Sequence, residues 1–104
     1  MGPGATLAAS FLSAAVRHGL PQRRSIFDLS YRESHQESIV AFVYRLSLMT
    51  DLLGIEDISF KMALVLIDRL LGNKNSPVHE LTHWNIHRIF LSAFIVASKF
   101  HQDL

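Results

Sequence analysis

Apolar residues recur at helical spacing in four blocks along the 104-residue chain, and turn-forming residues separate the blocks. The first block predicts a helix from about Ala5 to His18, with Leu7, Phe11, Leu12, Ala15 and Val16 along one face. Gly19 and Pro21 stop it, and the polar stretch from Gln22 to Ser25 leads into Ile26 and Phe27. The second helix is expected to begin near Ser30 or Ser34. Each opens a Ser-x-x-Glu capping box, with Glu33 and Glu37 respectively. Its apolar face reads Ile39, Phe42, Val43, Leu46 and Met49, with Leu53 beyond, and Gly54 ends it. The third begins after Asp57 or Ser59, whose side chains can accept hydrogen bonds from free first-turn amides. It runs through Phe60, Ala63, Leu64, Leu66, Ile67, Leu70 and Leu71, and Gly72-Asn73 stops it. After the loop at Asn75-Ser76-Pro77, a fourth helix takes Thr82 as its cap and continues to about His101.

That fourth segment is apolar nearly all round: Trp84, Ile86, Ile89, Phe90, Leu91, Phe94, Ile95 and Val96. A helix of this kind belongs in the centre of a bundle. Alternating runs that would mark a strand are lacking, as are internal repeats and low-complexity tracts. The expectation is an all-α helical bundle.

Composition narrows the function classes. With 49% hydrophobic and 18% charged residues, the chain is too apolar to be disordered and rather apolar for a free-standing monomer of this size. A formal charge of +1 gives no general attraction to nucleic acid or to a membrane surface. The longest apolar run, Ile89 to Ser98, is far short of the roughly 18–20 residues that span a bilayer. The lack of cysteine excludes a disulfide scaffold, a Cys-ligated zinc module and a thiol nucleophile, and fits a cytoplasmic or nuclear protein. From Met1 to Phe27 there is no acid, while Arg17, Arg23 and Arg24 are present. A mitochondrial transit peptide has that composition, and so does an ordinary first helix with a basic end.

Few residues suggest chemistry. His79, His83 and His87 recur every four residues, but Thr82 as cap would leave His79 off the helical face, and Glu80 is the one carboxylate placed to complete a site. No nucleophile–base motif and no phosphate loop occur, so no catalytic residue, metal or cofactor is expected. Arg23-Arg24 is too short for a nucleic-acid patch. Glu56 and Asp57 sit where acids stabilise the dipole of their own helix. Asp68-Arg69 interrupts an apolar helix and should be solvated or paired. Lys99 ends the fourth helix's apolar run. Its ammonium either faces that helix's own carbonyls or reaches the backbone of another protein.

Taken together these residues resemble a cyclin box, in particular that of the P/U-type cyclins of phosphate signalling. Ala63-Leu64-Val65-Leu66-Ile67-Asp68-Arg69-Leu70 is similar to the family's second box helix, A-x-V-Y-L-D-R-x. Asn85-Ile86-His87-Arg88 resembles N-V-H-R, and Ala97-Ser98-Lys99-Phe100 resembles A-S-K-F, with Asp103 following as the family's acid does. Phe42-Val43-Tyr44-Arg45-Leu46 is similar to the Y-L-x-R-I of the first box helix, and Ser25-Ile26-Phe27 to its aromatic lead-in. The likeness covers about residues 25–104, a partial box after an N-terminal helix and linker at 1–24.

The resemblance implies a non-enzymatic regulatory subunit that binds a protein kinase of the cyclin-dependent type through the third box helix. In the family that helix packs on the kinase's mobile C-helix, and its lysine, here Lys99, hydrogen-bonds backbone carbonyls there. Val96 and Phe100 hold the matching apolar positions, while Arg45, Asp68, Arg69, His87 and Arg88 are framework. Two departures follow. The M-R-A-I-L docking stretch of mitotic cyclins reads Ser38-Ile39-Val40-Ala41-Phe42, so that docking function is not carried over. The sequence also ends after the third box helix, before two helices that flank it in the family, one bearing the lysine's glutamate partner. Burying Ile89, Phe90, Leu91, Phe94, Ile95 and Val96 is worth on the order of 9–18 kcal/mol. That rivals a whole domain's stability of about 5–15 kcal/mol. A second copy, an exchanged helix or a surrounding complex is therefore expected to cover the fourth helix. The alternative function is a non-catalytic helical adaptor that reuses a half box inside a larger assembly.

Overall fold

A computed structural model describes residues 2–16, 38–76, 78, 80–82 and 85–103. It contains helices α1 (Pro3–Ala15), α2 (Ile39–Leu53), α3 (Ile58–Gly72) and α4 (Ile86–Asp103), and no strand among the described residues. The fold is all-α. α1 lies between α2 and α3, α3 packs along α4, and α2 and α4 touch only thinly. No helix among the described residues is long and apolar enough to cross a membrane.

Local chemistry sets the helix ends. Proline at the start of α1 brings a preset φ and gives up an amide that no helical carbonyl would have accepted. α2 starts at Ser38, whose Oγ accepts from the Ala41 N–H at 3.2 Å. The expected capping boxes at Ser30 and Ser34 lie outside the described residues, and the position that would complete a box from Ser38 is an alanine. At the other end Gly54 takes φ 71, a left-handed conformation open to glycine at little cost. Its N–H and that of Ile55 both turn back to the Thr50 carbonyl. α3 stops at Asn73, as the sequence predicts.

α1 corrects the expected face. Gly4, Ala5, Ala8, Ala9 and Leu12 are buried, while Leu7 and Phe11 are about half exposed. Small side chains let the backbone of α1 come close to its neighbours, which Leu7 and Phe11 would have prevented. The approach is closest at Gly4, where a Cβ would stand 2.5 Å from the Asp57 carbonyl oxygen. The Asp57 carboxylate accepts from the Gly4 N–H and, at 3.1 Å, from the Ala5 N–H. Asp57 thus caps α1 across the fold and makes no cap bond to its own helix, contrary to the sequence expectation. Two free amides and the positive end of a dipole draw the carboxylate there.

α2 is also rotated from the predicted face. Ile39, Val43, Ser47 and Thr50 are buried, while Met49 and Leu53 are exposed. Ser47 Oγ donates to the Tyr44 carbonyl at 2.7 Å and Thr50 Oγ1 to the Ser47 carbonyl at 2.9 Å. With their hydroxyls satisfied inside the helix, both residues can enter the core.

The largest core contacts join α3 to α4. Phe60 stacks on Phe90 with centroids 6.2 Å apart and lies against Phe94 at 4.7 Å. Such pairs contribute roughly 0.5–1.5 kcal/mol beyond their burial. α4 does not begin at Thr82 as expected. Its first residue is Ile86, because Asn85 ties down the approach to it. Asn85 Oδ1 accepts from the Thr82 N–H at 2.9 Å, and Nδ2 donates to the Glu80 carbonyl at 3.2 Å. α3 and α4 run antiparallel, and at the far end of the pair His101 Nε2 lies 3.0 Å from Glu56 Oε2.

A second correction concerns the position of α4. Sequence placed it at the bundle's centre, yet it forms an outer layer. Ile86, Ile89, Phe90, Phe94 and Ala97 are buried on one side, and Leu91, Ile95 and Val96 face outward. α1, made slim by its alanines, packs by that face against both α2 and α3.

Candidate protein-docking face

The 3.6-residue period sets Leu91, Ser92, Ile95, Val96, Lys99 and Phe100 on the outer side of α4. Leu91 is 37% exposed, Ile95 48%, Val96 57% and Phe100 59%, and Lys99 stands exposed among them. Four large apolar side chains in one stripe make a contiguous patch of the kind that marks an interaction site. The stripe ends in a cation.

Grooves flank the stripe on both sides. Between α3 and α4 a cavity of about 400 Å³ is lined by Met62, Val65, Leu66 and Arg69 from one helix and Val96 and Phe100 from the other. A second, of about 250 Å³, continues it past Leu70 and Ser92. On the α2 side a cavity of about 300 Å³ lies among Phe42, Arg45, Leu46, Met49 and Leu91. There the Arg45 guanidinium carbon stands 5.7 Å above the Phe42 ring, and the His87 ring meets that ring edge-on at 5.3 Å.

The residues singled out from sequence therefore separate into groups. Val96, Lys99 and Phe100 stand together, and Arg69 faces Val96 and Phe100 across the larger groove. Arg45 and His87 meet through Phe42, with His87 buried and Arg45 exposed. Arg88 is exposed in the first turn of α4, and Asp68 is exposed on α3 without lining any of the three grooves. His79 and His83 lie outside the described residues, and among those described no group of three potential ligands could hold a metal ion. Sequence reasoning passed over Met62 and Val65 as groove residues. The signal was present: with Phe60, Ala63 and Ile67 turned inward, Met62, Val65, Leu66 and Arg69 fall on a single flank of α3.

An apolar stripe beside deep apolar grooves, with cations at its edge, is equipped to hold a partner's helix and to meet its carbonyl or acidic groups. The Cyclin family model matches residues 8–104, from within α1 to the last residue. The chain belongs to the Cyclin family. As a cyclin it falls in a regulatory family, one that acts by binding and does no chemistry of its own. All four helices fall within or overlap the matched span, α1 included. No curated protein and no solved structure matches the chain.

Proposed function

We propose that this cyclin is a non-enzymatic regulatory subunit, related to the P/U type, that binds a protein kinase of the cyclin-dependent type through the outer face of α4. The observation that carries it is the placing of Val96, Lys99 and Phe100 side by side and exposed, next to the α3–α4 groove. Val96 and Phe100 offer apolar contact to a kinase helix, and Lys99 offers an ammonium to that helix's backbone carbonyls. A subunit that binds the active orientation of such a helix better than the inactive one shifts the kinase toward activity. Asp68 is a surface framework residue, and Arg45, His87 and Arg88 support the α2–α4 side. The place of action is the cytoplasm or nucleus.

A second function, a helical adaptor without kinase activation, is favoured by one observation. Exposed apolar residues also lie on α2, at Val40, Tyr44, Leu48 and Leu52, and on α1, at Leu7 and Phe11. Co-purification of the chain with cyclin-dependent kinases, followed by a kinase assay, separates the two. Kinase capture with activation supports the regulator, and capture of other assembly subunits without a kinase supports the adaptor. Lys99→Glu, which sets a carboxylate against the partner's carbonyl oxygens, is expected to abolish kinase capture while leaving the helical circular dichroism unchanged. Capture that survives Lys99→Glu overturns the assignment of the α4 face.

A further inference from the structure

We infer that the outer face of α4 is also a self-association surface, on which a second copy of this chain seats with its own α4 antiparallel. The stripe is self-complementary about one point, the midpoint between Ile95 and Val96. A two-fold axis through that point sets Ile95 against Val96 of the other copy and Leu91 against Phe100, so that the larger ring meets the smaller side chain. The same axis sets Ser92 against Lys99, giving the ammonium a hydroxyl to donate to. A parallel arrangement would instead oppose Lys99 to Lys99 and Arg88 to Arg88, and like charges facing each other are disfavoured. An isologous pair needs this property: if one residue meets a second, the second meets the first.

The size of the patch sets the strength. Four side chains at 37–59% exposure offer on the order of 350 Å² per copy, below the roughly 800 Å² per partner of a standard stable interface. The pair is therefore reversible, with dissociation of micromolar order or weaker. Its consequence rests on the proposed kinase role, although the pairing itself does not. The second copy would cover Val96, Lys99 and Phe100, so a chain in a pair would be unable to bind a kinase. Self-association would then hold the regulator inactive at high concentration, and a kinase would release it.

Sedimentation equilibrium of the full chain over a concentration series tests the pairing. A reversible monomer–dimer equilibrium is expected, and Ile95→Glu should weaken it at least tenfold with unchanged helical circular dichroism. Since the chain has no cysteine, single cysteines report the register. Ile95→Cys, beside the axis, should form a disulfide-linked dimer on mild oxidation. Leu91→Cys should not, because residues 91 of the two copies would stand about 13 Å apart along the helices. A monomer at every concentration, a dimer indifferent to Ile95→Glu, or equal cross-linking from both cysteines overturns the inference. Dimerisation as described, with no kinase captured by the parent chain diluted until it is monomeric, supports the pairing and removes the kinase assignment alone.

Discussion

Gly4→Ala sets two effects of opposite sign against each other. On helix propensity alone, alanine in place of a helical glycine stabilises by up to about 1 kcal/mol. Structure argues the reverse. The new Cβ would fall 2.5 Å from the Asp57 carbonyl oxygen and 2.6 Å from its Oδ2. The carboxylate can turn away, but the carbonyl cannot move freely, because it already accepts the Phe60 N–H at 3.0 Å in the first turn of α3. α1 must therefore lift at its N-terminus. That loses the two amide bonds to the Asp57 carboxylate, each worth roughly 1.5–3 kcal/mol as a bond to a charged group. Partial exposure of Asp57 lowers this figure. Setting about 2–4 kcal/mol of loss against about 1 kcal/mol of gain leaves a net destabilisation of roughly 1–3 kcal/mol. Urea denaturation followed by helical circular dichroism measures it, with Gly72→Ala as the control. Gly72 has nothing within 4 Å of the added Cβ, so there propensity acts alone and stability should rise slightly. A Gly4→Ala protein as stable as the parent chain, or more so, would refute the close approach of α1 to Asp57.

Two further substitutions probe the core and the start of α4. Phe60→Ala removes a fully buried ring that touches both Phe90 and Phe94, and should cost about 3–5 kcal/mol in the same denaturation assay. Asn85→Ala removes the acceptor of the Thr82 N–H and the donor to the Glu80 carbonyl, and should cost about 1–3 kcal/mol. It should also speed amide hydrogen exchange at Thr82 and in the first turn of α4, which a purely global destabilisation would not single out.

Much of the helical framework was legible because it depends on neighbours in sequence. Gly54 and Gly72-Asn73 are local stop signals, and the α3 face at Phe60, Ala63 and Ile67 follows from spacing alone. The misread features depend on residues far apart in the chain. Asp57 caps a helix more than fifty positions away, which no local pattern announces. The inward face of α1 is the alanine face, since what decides it is how near another backbone must come and not which side is most apolar. In α4 the buried side carries Ile86, Ile89, Phe90, Phe94 and Ala97, while Arg88, Ser92 and Lys99 stand among the outward apolar residues, so the polar positions already marked the outer side. The face bearing Val96 and Phe100 was recognisable by likeness to a family, while its exposure emerged only from the packing of α4 against α3 through its other side.

The energetics of that face divide the work between its apolar and charged residues. Full burial of one large aliphatic or aromatic side chain is worth roughly 1.5–3 kcal/mol. Leu91, Ile95, Val96 and Phe100 are about half covered already, so a partner gains on the order of 3–6 kcal/mol by finishing the task. Association costs an estimated 4–15 kcal/mol in lost freedom, so the stripe alone holds nothing tightly. The partner must also fill the 400 Å³ groove, which Phe100 lines together with Met62 and Leu66. A solvated ammonium such as Lys99 adds little net affinity, because it exchanges water for carbonyl oxygens, but it selects partners with carbonyls in the right place. Phe100→Ala should therefore reduce affinity for a captured kinase more than Lys99→Ala does. Lys99→Ala should mainly erode discrimination between related kinases. Titration calorimetry of both variants against two kinases measures the split, and a larger affinity loss at Lys99 than at Phe100 would show that charge, not apolar burial, holds the complex together.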